Sequence, residues 1–196
     1  MEGLNLFESN ILLWIQDNLR TDALDFLMPY VSAVNNAGLL SMLTVILLIA
    51  LAMYRKVGIT GFFSLATEAV IVNLFLKNCT ARVRPYVVNE ALLLLGHMPG
   101  DFSFPSGHTG AAFAVATVLF LYGKDDIIPK KYAALAVAAA VLVAVSRLYN
   151  AAHYPSDVLI GMLIGMFTGV LACKVISVYG LKKNQDFCPD SNKLGD

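Results

Sequence analysis

The chain has 196 residues, of which 58% are hydrophobic and only 14% charged, with a formal net charge of zero. An ordinary soluble domain is roughly 45–50% apolar and about 25% charged, so a body of 21.2 kDa with mean hydropathy +0.68 has more apolar surface than it can hide from water. These figures exclude a soluble domain and, with no basic block outside short loops, nucleic acid as a partner.

The first residues hold Glu2, Glu8 and Asp17 and lack a basic start, so no cleavable signal peptide is expected. Over residues 4–34, Leu4, Phe7, Ile11, Leu12 and Ile15 share one helical face, with Glu8, Asn10, Gln16 and Asp17 largely elsewhere. That pattern predicts an interfacial amphipathic helix. Asp22, Asp25 and Pro29 make the following stretch a poor span, so a second interfacial helix is expected, a sixth crossing being the alternative.

A helix needs about 20 mostly apolar residues to cross the hydrocarbon core. Five stretches qualify: Gly38–Tyr54, Val57–Leu76, Phe104–Tyr122, Tyr132–Tyr149 and Tyr154–Tyr179. The expected fold is therefore an all-α integral-membrane bundle of five spanning helices, or six, preceded by interfacial helices. It forms a single domain over residues 1–196: helices on the interface at 4–34, the bundle at 38–179, and a cytoplasmic tail at 180–196. Arg55, Lys56, Lys124, Lys130, Lys131, Lys182, Lys183 and Lys193 collect on one side, which the positive-inside rule makes cytoplasmic. Cys79, Cys173 and Cys188 lack paired spacing and read as packing residues rather than a disulfide framework or zinc site.

The opposite face concentrates chemistry. Lys77 and Arg84 are seven apart, two turns on one face if the helix continues, although Pro85 disfavours that. Pro105-Ser106-Gly107-His108-Thr109 opens the third span, where free backbone N–H groups make an anion site. Ser146-Arg147 is followed by His153 and Asp157, which are four apart and share a helical face. Singly each signal is weak: a lone Lys or Arg at a helix end is commonly a snorkelling anchor. Together they place two of the three histidines and most of the outer cations in three short motifs, and charge at membrane depth reads as functional.

K-x6-R-P, P-S-G-H and S-R-x5-H-x3-D, in this order, resemble the three-part signature of the type 2 phosphatidic acid phosphatase superfamily. The wider lettering is similar to short bacterial undecaprenyl-diphosphate phosphatases. The resemblance implies a lipid phosphatase of a bacterial plasma membrane with its site on the extracytoplasmic side. It implies that Lys77, Arg84 and Arg147, with the Ser106 and Gly107 backbone, clamp the phosphate, that His153 attacks phosphorus, that Asp157 holds the His153 ring, and that His108 protonates the leaving oxygen. A transferring phosphoryl group needs charge stabilisation above all, and arginines supply it, so no metal and no cofactor is expected. The partners are the lipid phosphate or diphosphate and the bilayer. Undecaprenyl diphosphate leads as substrate; phosphatidylglycerophosphate or phosphatidate is the alternative, with a vanadium-dependent haloperoxidase or a non-enzymatic membrane protein more remote.

Outside the signature, mid-span Glu68 is expected to be paired within the bundle or linked to substrate. Arg82 is a second phosphate contact or a headgroup anchor, and His97 is simply exposed. Leu92–Leu95 is a short packing helix or a lip that guides a lipid chain. Gly161, Gly165 and Gly169 repeat every four residues and predict close helix packing, inside the bundle or at a dimer face.

Overall fold

Helices account for all the regular structure in a computed structural model that describes residues 2–185; residues 186–196, with Cys188, Lys193 and most of the expected tail, lie outside the described residues. In chain order they are α1 (Glu2–Leu19), α2 (Asp22–Val34), α3 (Leu39–Ala50), α4 (Arg55–Ala69), a short α5 (Pro85–Val88), α6 (Gly107–Lys124), α7 (Lys130–Tyr149) and α8 (Pro155–Gln185). α4 runs on through a π-helical stretch, Val70–Leu76, into a last turn, Lys77–Thr80. π-Turns are rare and favour functional sites; this one sets the register in which Lys77 leaves the helix.

Three segments are long and apolar enough to cross a membrane, residues Ala52–Val88, Lys130–Tyr149 and Pro155–Ser177, and α2 with α3, bent by 48°, makes a fourth if the pair is one span. α6 falls outside this set because its 18 residues open on a polar turn with His108 and Thr109. It is instead the hub of the bundle: Phe113 and Ala116 pack on Ala140 and Ala144 of α7 and Val158 of α8. At the far end Val115, Val118 and Leu119 close on Val45 of α3 and Val57 of α4. Outward-facing Leu43, Ile46 and Leu47 of α3, Leu135 and Val141 of α7 and Phe167 of α8 stay exposed, as lipid contact requires.

The glycine repeat of α8 serves the bundle. A Cβ at Gly161 would strike the Ser106 carbonyl, one at Gly165 the backbone of Gly110 and Ala114, and one at Gly169 Thr117. α8 thus lies directly on α6, which sets the N-termini of the two helices side by side. Backbone bonding fixes that junction, because the Ser106 N–H donates to the Asp157 carbonyl at 3.0 Å.

The N-terminal helix departs from the expected orientation. Leu12 is buried against Leu92, Ala151 and Tyr154. Beside it Glu8, only 3% exposed, also faces the protein, while Leu4, Leu6, Phe7 and Trp14 face outward. The polar edge docks on the bundle and the apolar flank is left for the surroundings. A long-range ion pair, invisible to local periodicity, decides the orientation of α1. Gln16 and Arg20 then bond the backbone of Ala91 and Leu93, so residues 89–95 form a pinned loop rather than a helix.

Candidate active site

The ends of α4, α6, α7 and α8 meet at one end of the bundle. α4 stops at Ala81, whose left-handed backbone (φ 46°) returns its N–H to the Lys77 carbonyl at 2.9 Å. Arg84 is extended, as a residue before proline prefers to be, and Pro85 opens α5. The helix therefore does not carry Lys77 and Arg84 on one continuous face. The bend brings them together instead, onto a residue that the motifs do not contain. The Asp101 carboxylate is ion-paired with Lys77 and accepts from Arg84 Nη2 at 2.6 Å, while its carbonyl accepts from Arg84 Nε at 2.9 Å.

Arg84 goes on to the other half of the site. Its Nη1 donates to the Ala152 carbonyl at 2.7 Å and stands 3.2 Å from His153 Nε2. The loop between α7 and α8 is closed by the Ala151 and Ala152 amides bonding back to Leu148 and Arg147, with Ala151 in the left-handed region. This holds His153 fully buried. The His153 Nδ1–H donates to the Ser103 carbonyl at 2.7 Å, which fixes the tautomer and makes Nε2 the acceptor that faces Arg84 Nη1. Burial first, and then the cations Arg147, Arg84 and Lys77, hold the imidazole well below its ordinary pKa, so the ring is neutral.

Asp157 was expected to hold this ring directly, and here the structure differs. Its Oδ2 is 3.6 Å from His153 Nδ1, beyond a hydrogen bond. The same oxygen accepts from Ser103 Oγ at 2.5 Å and from the Tyr154 N–H at 3.0 Å. Asp157 thus positions Ser103, whose carbonyl positions His153. Its other oxygen pairs with Arg82 at 2.5 Å.

Arg82 is neither a phosphate contact nor a headgroup anchor. It donates to Glu8 at 2.5 Å, Ser156 Oγ at 2.7 Å and Asn5 Oδ1 at 2.7 Å, and its guanidinium stacks 4.0 Å from the centre of the Tyr154 ring. Glu8 in turn accepts the Ser156 N–H at 2.6 Å, at the N-terminus of α8, where an anion is favoured.

At the start of α6 the Ser106 hydroxyl caps the helix by accepting the Thr109 N–H. Because the Ser106 amide is committed to Asp157, it cannot join an anion cradle as expected; among the described residues the Gly107 and His108 amides take no partner. His108, Lys77, Asp101 and Arg147 line a cavity of about 530 Å³ that continues past Glu68 toward apolar Phe62 and Met42. Arg147, 5% exposed, donates from Nη1 to Ser32, while Nε and Nη2 have no partner. Glu68 is fully buried, with Oε1 unpartnered, so the bundle does not pair it. His97 is exposed, as its sequence reading expects, and with Leu95 it lines the same cavity.

Three cations at one end of the bundle, of which Arg147 has donors without partners, with a neutral imidazole and a second histidine can bind a phosphoryl group and transfer it. The PAP2 superfamily matches residues 39–179. An undecaprenyl-diphosphatase of Sulfolobus acidocaldarius is 34% identical over 66% of this chain and 60% of its own length. A lipid A 1-phosphatase of Rhizobium johnstonii is 32% identical over 64% of this chain and 50% of its own. The chain thus spans only about half to three-fifths of these relatives. Among solved structures, a PAP2-type phosphatidylglycerolphosphate phosphatase from Bacillus subtilis superposes with a TM-score of 0.74 over 89% of this chain and 87% of its own, at 24% identity, a likeness of fold. Aquifex aeolicus LpxE gives 0.69 over 84% of this chain and 93% of its own, at 27% identity. Fold, motif residues and the span of the match agree: the chain belongs to the PAP2 superfamily.

Proposed function

We propose that the protein is a lipid phosphatase that removes the terminal phosphate of a membrane lipid, with undecaprenyl diphosphate as the leading substrate. The carrying observation is that Arg84, bonded to His153 Nε2, shares Asp101 with Lys77 at the wall of a cavity that His108 and Arg147 also line and that runs on to apolar Phe62 and Met42. The named relatives act on phosphorylated lipids, which supports the class of substrate. The site lies at the ends of α4 and α7 opposite basic Arg55, Lys56, Lys130 and Lys131, which supports an extracytoplasmic site in a bacterial plasma membrane. Five crossings follow if α6 and the bent α2–α3 pair each traverse the bilayer once.

In this reading Lys77, Arg84 and Arg147 take the phosphoryl oxygens, Arg147 with the two donors that the protein leaves open. His153 Nε2 attacks phosphorus in line as the bond to the leaving oxygen breaks, and His108 gives that oxygen its proton. Water then attacks the phosphohistidine, giving its proton to His108, and the P–N bond breaks. The Ser103 carbonyl keeps its hold on Nδ1–H throughout, and Asp157 stabilises the positive ring from behind.

The test is parallel phosphate release from undecaprenyl diphosphate, phosphatidylglycerophosphate and phosphatidate, with acid-labile phosphoprotein trapped by rapid quench. His153→Ala should form no phosphoprotein on any substrate. His108→Ala should lose about 10²–10⁴-fold on lipids and much less on an activated aryl phosphate, which departs without a proton. Release from none of the three lipids, or label trapped on the His153→Ala protein, would sink the assignment.

A further inference from the structure

The positive seat that should hold a phosphate is already filled by a tethered carboxylate. Asp101 belongs to none of the three motifs, yet it bridges Lys77 and Arg84. The two cation side chains are buried, at 9% and 4% exposure, while that of Asp101 is 51% exposed, so the carboxylate covers them from the cavity side. Arg147, which lines the same cavity, keeps Nε and Nη2 buried and without partners. An anion that is to reach Lys77 and Arg84 must therefore displace Asp101 from them.

We propose that Asp101 is a specificity-determining residue that competes for the phosphate seat and admits terminal phosphates while excluding phosphodiester headgroups. The inference rests on the reading of Lys77 and Arg84 as phosphate ligands. A phosphodiester carries one negative charge, so exchanging it for Asp101 gains no charge at the cations, and the tethered carboxylate needs no further loss of translational freedom. A terminal phosphate brings about two charges and three free oxygens, enough to serve Lys77, Arg84 and Arg147 together. A site at the membrane surface faces phosphodiester lipids in great excess over its substrate; without a competitor, these cations would collect them.

Burial alone would raise the Asp101 carboxyl, but the Lys77 and Arg84 cations more than offset it and bring it down to about 2. The competitor therefore stays charged at every working pH and yields only to an anion.

The experiment uses the full chain in phosphate-free maltoside micelles with a soluble aryl phosphate as substrate. In Asp101→Asn and Asp101→Ala the inhibition constant for inorganic phosphate should fall roughly tenfold, the size of losing one such charge contact. Orthovanadate should likewise raise the melting temperature at lower concentration in both variants, a readout that needs no turnover. Added phosphatidylglycerol should raise KM several-fold in the variants and leave the unsubstituted protein unchanged. An unchanged or higher inhibition constant in both variants, or equal inhibition by phosphatidylglycerol in all three proteins, overturns the proposal. Lys77→Ala and Arg84→Ala separate the two failures. If they too leave phosphate inhibition unchanged, the phosphate-seat reading itself has failed; if they abolish it while the Asp101 variants do nothing, only the role of Asp101 has.

Discussion

Arg82 and Arg84 stand two residues apart and read alike in the sequence, but they belong to different regions of the molecule. Arg82 is enclosed. All three of its guanidinium nitrogens donate to protein acceptors, two of them carboxylates, and its face is covered by Tyr154. Arg84 is bonded through all three nitrogens as well, but its acidic partner Asp101 is half-exposed on a cavity that Lys77 and Arg147 line, and there Arg147 has donors without partners. A buried charge satisfied by its own chain holds a structure together. One left unsatisfied beside open volume is kept for something that arrives. The comparison turns on what surrounds each cation rather than on the residue type, and it can be broken by experiment.

The largest effect belongs on the enclosed side. Arg82→Ala leaves Glu8 and Asp157 buried without their cation, and removing one partner of a buried ion pair costs about 3–5 kcal/mol. The melting temperature should fall sharply, and part of the loss should return when Glu8→Gln is added, because the orphaned charge goes with it. An Arg82→Ala protein as stable as its parent would mean that the enclosed cluster is not structural.

The cavity side should show the reverse. Arg147→Ala removes donors that the fold does not use, apart from the contact to Ser32. Loss of a preorganised donor to a developing oxyanion costs about 10²–10³-fold in rate, so kcat/KM should drop by that factor with little change in melting temperature. Equal losses of stability and activity would erase the distinction from Arg82.

How much of this was legible follows the same divide. Lys77, Arg84, His108, Arg147, His153 and Asp157 were readable because their spacing places them at helix ends, and the structure brings them to one end of the bundle. Asp101 and Ser103 were not, since they act from an irregular loop with no period to reveal them. Glu8 was misplaced for a different reason. Amphipathic pattern assigns a carboxylate to water unless a cation is known to wait for it, and Arg82 lies 74 residues away. The Ser106 amide failed as an anion ligand because sequence can mark a helix start but cannot say that a neighbouring carbonyl has already claimed its donor. The glycine repeat was legible in kind, and only the packed bundle decided between an internal and an external partner.

A smaller effect tests whether His153 belongs with the enclosed or the open set. Its pKa in the folded protein lies well below the ordinary value near 6.5, burial being the first cause and the surrounding cations the next. The unfolded chain then binds the proton that the folded one refuses, so stability is fully present above about pH 6.5 and falls as pH drops, by at most about 1.4 kcal/mol per pH unit for this one group. Melting temperature measured from pH 8 to 5 should decline more steeply for the parent than for His153→Gln, which has no proton to refuse. Parallel curves would show an imidazole that titrates freely, in contact with water, and the neutral-nucleophile reading would lose its basis.

The smallest expected effect is none at all, and it bears on the source of the positive charge. A transferring phosphoryl group spreads negative charge over its equatorial oxygens, and enzymes meet that charge with metal ions, with basic side chains or with both. In this site the chain itself brings Lys77 and Arg147 to the cavity with Arg84 behind Asp101, and that carboxylate is already held by Lys77 and Arg84. A divalent cation would have to take Asp101 from Lys77 and Arg84 and would then sit against three uncompensated positive charges. Turnover of lipid and aryl substrates should therefore be the same in excess EDTA as without it, and added magnesium should neither raise nor restore it. Activity lost on chelation and recovered with magnesium would transfer the role assigned to the three cations to an ion, and would leave the open donors of Arg147 without an explanation.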